Sequence, residues 1–124
     1  WGRRAVQAYR DFQADVIVVE RNNGGDMAEA VVKNVDPLVP VRTVWASRGK
    51  RTRAEPVAAL YEAGRVSHAG SFGELEEQLT TWVPDDGDSP DRLDALVWAL
   101  TDLMVDAAEM TETAYRNDAL RGVR

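Results

Sequence analysis

The 124-residue chain contains no cysteine. Disulfides, structural zinc–thiolate sites and thiol nucleophiles are therefore excluded. A single histidine, His68, argues against a multi-histidine metal centre or a Ser-His-Asp hydrolase assembled within the chain. No apolar run approaches the roughly 20 residues needed to span a membrane, and no basic leader followed by an apolar stretch marks a secretory signal. These absences lead to the expectation of a soluble, cytoplasmic chain. Internal repeats and interdomain linkers are also missing, so the length fits one domain. Its 44% hydrophobic content is enough for a core. Trp1 in place of a starting methionine leads to the expectation that these residues are a piece of something longer.

The net charge of −6 is unfavourable for contact with nucleic acid, but its distribution matters more than its sum. Between Arg42 and Arg65 six basic residues (Arg42, Arg48, Lys50, Arg51, Arg53, Arg65) face two acids, Glu55 and Glu62. Between Glu74 and Glu112 twelve acids are answered only by Arg92. A basic middle and an acidic later part suit an enzyme that holds cations in one place and phosphates in another. Ordinary surface charge, clustered by chance, gives the same pattern.

Hydrophobic spacing sets the element order. Residues 2 to about 13 place Ala5, Val6, Tyr9 and Phe12 on one helical face. Val16-Ile-Val-Val19 is a β-branched run suited to an interior strand covered on both faces. Asn22-Asn-Gly-Gly25 breaks it, and Asp26 can cap a helix through about Asn34, with Met27, Ala30 and Val31 inward. After Pro37 and Pro40, residues 41–46 alternate like a second strand. Helix, strand, helix, strand implies a parallel pair joined by a crossover, hence an α/β fold. A third helix is expected over about 52–63, inward at Val57, Leu60 and Tyr61 and stopped by Gly64. A strand-like piece at 65–68 and a helix through Phe72, Leu75 and Leu79 follow. The stretch 84–90 is loop by composition. A long helix then runs from Pro90 towards Met110, striped with Leu93, Leu96, Val97, Leu100, Leu103 and Met104. The polar residues from Thr111 onward are expected to fray.

Chemistry has few places to sit. Glu20 follows the first strand directly, at the carboxyl edge where α/β folds place their sites; it is also simply the first polar residue after a core strand. Asp91 and Asp94, three apart, share a helical face. The helix dipole favours acids there whether or not they bind anything, but Asp94 precedes the apolar run Ala95–Leu100 and so lies near the core. Brought together, Glu20, Asp91 and Asp94 would make an oxygen-lined site for a hard cation such as Mg²⁺. Asn22–Asp26 could present backbone N–H groups to an anion, although its spacing is not that of a Walker A loop. Asp85, Asp86 and Asp88 fail the EF-hand spacing and read as solvated loop. His68 reads as a surface or packing residue rather than a substrate contact, and Trp45, Trp82 and Trp98 as core.

Four segments in order resemble a known family. They are Val16-Ile-Val-Val-Glu-Arg-Asn-Asn-Gly-Gly-Asp26, Lys50 through His68, Phe72-Gly-Glu-Leu-Glu-Glu-Gln-Leu79, and Asp88 through Leu100. Over about residues 1–105 the chain resembles the C-terminal nuclease domain of phage terminase large subunits, of RNase H-like fold. The resemblance implies cutting of concatemeric DNA during packaging, by phosphodiester hydrolysis with two divalent ions, Mg²⁺ or Mn²⁺, held by three acidic positions. The second of these matches Glu20. The third, in the pattern Asp-x-x-Asp-Ala, matches Asp94, with Asp91 an auxiliary ligand. Arg48, Lys50, Arg51 and Arg53 would lie against double-stranded DNA. An ATPase motor, a portal and a small terminase subunit would be further partners.

The chain departs from the family in one respect. The family's first catalytic Asp lies on a strand ahead of the opening helix, and no such strand precedes Trp1 here. Residues 1–110 are thus expected to form an N-terminally incomplete nuclease domain with an open sheet edge suited to self-association, followed by a tail at 111–124. Alone, such a chain would bind metal weakly and cut little or no DNA. Alternatives are a degenerate prophage remnant acting as an assembly module, and another RNase H-like nuclease of resolvase or transposase type.

Overall fold

The computed structural model describes residues 1–21, 26–46, 49–84 and 90–105. The turn at 22–25, Arg48, the Asp85–Asp88 cluster, the end of the last helix and the expected tail lie outside the described residues, as does the Asp26 side chain. The chain divides into two compact units, Trp1–Ser47 and Arg48–Arg124.

The first unit contains α1 (Gly2–Asp11), β1 (Ile17–Glu20), α2 (Asp26–Val35) and β2 (Val41–Val44). The two strands pair in parallel, Ile17 opposite Val41 and Glu20 opposite Val44, as the order of elements predicts. Val6, Val32 and Val39 are buried together, with Tyr9, Ile17 and Val41 packed against them. Two helices, one face of the paired strands and one loop residue thus supply a single core. The strand residues are half-buried, less covered than an uninterrupted apolar run predicts, because among the described residues of this unit the sheet has two strands.

Close approach of α1 to α2 depends on Gly2. A Cβ there would lie 2.7 Å from Val31 Cγ1 and 3.1 Å from the Val31 carbonyl oxygen. At its other end α1 closes with Gln13 in the left-handed region (φ 49°). The Gln13 N–H then reaches the Arg10 carbonyl and the Ala14 N–H the Tyr9 carbonyl, which is a Schellman closure made without glycine. Phe12 is the cap of this helix, not a member of its stripe, and is exposed. Met27 is also exposed rather than inward, and Val32 takes the central place.

Polar ties fix the α2–β2 loop. The Lys33 ammonium donates to the carbonyls of Pro37 and Val39, where a cation also suits the helix C-terminus. Asp36 accepts from the Leu38 N–H and from Arg10, and Thr43 on β2 donates to Glu29 on α2 at 3.3 Å.

The second unit contains α3 (Lys50–Glu62), α4 (Gly73–Thr81), α5 (Asp91–Leu100) and a π-helical turn, Thr101–Val105. Val57, Leu93 and Val97 are buried together, and Ala54, Tyr61, Leu79, Trp82 and Leu100 pack round them. Helix α3 begins two residues earlier than its sequence suggests, and Pro56 lies inside it, which removes one donor from the helical ladder. Gly64, at φ 65°, ends the helix as predicted. Its N–H reaches the Tyr61 carbonyl, and the Arg65 N–H reaches Leu60. Residues 65–68 are not a strand, since no neighbouring strand among the described residues is there to pair with them.

That segment is held by a side-chain chain instead. The Tyr61 hydroxyl lies 2.8 Å from His68 Nε2, and His68 Nδ1 lies 3.1 Å from Glu76 Oε1. The Phe72 N–H also donates to Glu76, and the imidazole sits edge-on between the Tyr61 and Phe72 rings. His68 is thus a packing residue joining α3, its following loop and α4. Burial pushes the Tyr61 phenol up from its ordinary value.

Glu76 is held below its ordinary carboxyl value, first by the His68 hydrogen bond and then by the Phe72 N–H. Asp36 is lowered by the Leu38 N–H and by Arg10. For such depressed carboxylates the stability they contribute is present above the unfolded value and lost as pH falls through the folded one. Urea midpoints should therefore drop as pH is taken below about 4. In Glu76→Gln that drop should be shallower, and a pH profile parallel to wild type would refute the assignment.

Candidate functional site

Glu20 is the last residue of β1, at the carboxyl end of both parallel strands. Strand side chains alternate between faces. Ile17 faces the core made with α1 and α2, so Glu20 lies on the opposite face of the sheet, half-buried. Just beyond, the Arg21 N–H continues the ladder to the Val44 carbonyl, and the Arg21 guanidinium stands 5.2 Å from the Trp45 ring centre. Trp45 is 61% exposed. It is not core, because β2 has ended at Val44 and turned its next residue outward.

Asp91 and Asp94 both occupy the first turn of α5. Pro90 stands at the N-cap and offers no side-chain hydrogen bond. The acceptor comes from the neighbouring helix: Gln78 Oε1 on α4 receives the N–H groups of Arg92 and Leu93 at 3.1 and 3.2 Å. A cap of this kind contributes about 0.5–2 kcal/mol. The Arg92–Glu74 ion pair joins the same two helices at the surface. Asp91 is exposed, whereas Asp94 is half-buried. The Lys50 ammonium, at the start of α3, lies 3.5 Å from Asp94 Oδ2.

The basic stretch divides by position. Arg51 is exposed and pairs with Glu55 one turn on. Arg53 lies with its guanidinium 4.4 Å from the Trp98 ring centre. Its Nε and Nη1, like the indole nitrogens of Trp82 and Trp98, are buried without an acceptor among the described residues. Stacking on the ring offsets part of that cost. Trp82 and Trp98 are half-buried, as their apolar surroundings predict.

The available donors are carboxylate oxygens, with no thiolate and with the one imidazole committed to Tyr61 and Glu76. Such a set fits a hard divalent cation of the Mg²⁺ or Mn²⁺ kind better than zinc. Among the described residues no three candidate ligands cluster. Glu20 belongs to the first unit, and the Asp91–Asp94 pair to the second. No helix among the described residues is long and apolar enough to cross a membrane.

The elements are those of an α/β chain, with one carboxylate ending a parallel strand in the first unit and two opening a helix in the second. Comparison with known families matches residues 1–103 to the terminase RNaseH-like domain, and the chain belongs to that family. Among curated proteins and among solved structures no match is found. The chain is a terminase nuclease domain of RNase H-like type.

Proposed function

We propose that this domain performs metal-dependent cleavage of double-stranded DNA during genome packaging, with Glu20 and Asp94 as metal ligands and Asp91 as an auxiliary ligand. The observation that carries the reading is the family match over residues 1–103, together with the positions of those carboxylates at element ends. Divalent ions bound by them would supply an activated water and stabilise the leaving oxygen. The chain's own groups hold the ions and approach the phosphates. Lys50 and Arg51 at the start of α3, with Arg48 just before, would bind the DNA backbone without sequence preference; Arg53, expected from the sequence to join them, instead has its guanidinium stacked on Trp98 with Nε and Nη1 buried. An ATPase motor, a portal and a small terminase subunit are the partners this role requires, in the host-cell cytoplasm.

Because two of the family's three acidic positions fall in these 124 residues, we expect this chain on its own to bind Mn²⁺ weakly and to cut little DNA. Calorimetric titration with Mn²⁺ tests the ligand assignment. A weak, saturable heat should be seen in wild type and be lost in Asp94→Asn and in Glu20→Gln. The assignment fails if both variants bind like wild type, or if wild type shows no saturable heat.

A further inference from the structure

The first turn of α3 carries Lys50, Arg51 and Arg53 and no acid. The positive end of a helix dipole disfavours cations there, so stability alone does not account for the arrangement. Local rules are broken in this way where a ligand is to be met. Lys50 is the one of these cations placed against a carboxylate of the proposed metal site, 3.5 Å from Asp94. Both side chains keep access to solvent, at 35% and 22% exposure. Three residues on in α3 and four on in α5, Arg53 stacks over Trp98, and the same two helices supply Val57, Leu93 and Val97 to the core. The stacked pair is a contact between α3 and α5, while a lysine stem can rotate about its own bonds.

We propose that Lys50 is an exchangeable counter-ion of Asp94: it neutralises the carboxylate when no metal is bound, and a bound metal turns its ammonium outward to a DNA phosphate. A divalent ion and an ammonium beside the same carboxylate repel each other, so occupation by one releases the other. Metal binding and DNA binding are then coupled through this pair, each raising affinity for the other. The inference rests on the metal-ligand reading of Asp94 given above.

The test uses the full 124-residue chain and a fluorescent random-sequence duplex at low salt, with anisotropy as readout. Without metal, Asp94→Asn should tighten DNA binding roughly twofold to fivefold, the range released by breaking one partly exposed ion pair. In a Lys50→Met background the same change should do much less. Asp91→Asn, which removes the same charge one turn away, should also do less. Equal gains in all three comparisons would mean bulk charge only and would overturn the exchange. In calorimetry, Lys50→Met should bind Mn²⁺ more tightly than wild type, by a similar factor; unchanged or weaker binding would overturn it. Wild type that bound neither DNA nor Mn²⁺ would instead remove the nuclease reading beneath it. Intact binding with additive variants would remove the exchange alone.

Discussion

In the terminase that carries this domain, Asp94→Asn is expected to lower Mn²⁺-dependent cleavage of plasmid DNA by more than about a hundredfold. Changing a residue that merely orients a metal ligand costs about 10–100-fold, and Asp94 is proposed as a ligand itself. Asparagine keeps the shape and one oxygen but removes the charge that the cation needs. The fold should tolerate the change, because Asp94 is half-buried and its ion pair with Lys50 is partly exposed; such pairs contribute at most about 1 kcal/mol. Glu74→Gln is the matched control, since it also removes an acid from this unit but breaks only the surface pair with Arg92. Melting curves that coincide while cleavage collapses in Asp94→Asn alone would support the assignment. Cleavage within fivefold of wild type would remove Asp94 from the metal site.

Leu93→Ala should have the largest effect on stability, about 2–5 kcal/mol. Leu93 is 3% exposed, at the centre of the cluster with Val57 and Val97. Truncation would open a void faced by three helices that cannot all collapse into it. Domains of this size hold only about 5–15 kcal/mol in total, so one side chain carries a large share. Urea denaturation followed by tryptophan fluorescence measures the loss. A cost under about 1 kcal/mol, typical of a surface change, would show that this cluster is not the core of its unit. Leu93 adjoins Asp94, so the same variant should also lose Mn²⁺ binding wherever it is partly unfolded.

Periodicity made much of this legible. The helical stripes of α1 and α5, the parallel pair and the glycine stop after α3 all appear where local spacing and backbone preference dictate them. Three of the expectations that failed share a cause, which is that spacing identifies an apolar face without showing where the element stops. Phe12 continues the α1 stripe on paper but falls on the cap. Trp45 continues the β2 alternation but lies past the last paired residue. Leu103 continues the α5 stripe, yet the helix widens to π geometry at Thr101 and the residue turns outward.

Contacts between distant residues were not legible at all. No pattern in the sequence joins Tyr61 to His68 and Glu76, because only tertiary packing brings a loop imidazole between two helices. The Lys50–Asp94 pair is of the same kind, 44 positions apart. One clue was present: Pro90 before a helix start has no side-chain acceptor, so the first N–H groups of α5 had to be satisfied from elsewhere. Of the candidate site, the sequence resemblance marked Glu20, Asp91 and Asp94 by residue type and order, while the partner of Asp94 came only from the fold.

The Gln78 cap has a consequence for anyone transplanting this chemistry. An acidic pair at a helix start looks portable, a four-residue motif that could be grafted onto any scaffold helix. Here the helix that bears it does not terminate itself; its opening turn is closed by an amide borrowed from α4. The smallest transferable part is therefore the α4–α5 pair with Gln78 and Leu93 in place, and a graft of Asp91-Arg-Leu-Asp94 alone would carry the carboxylates without the turn that aims them.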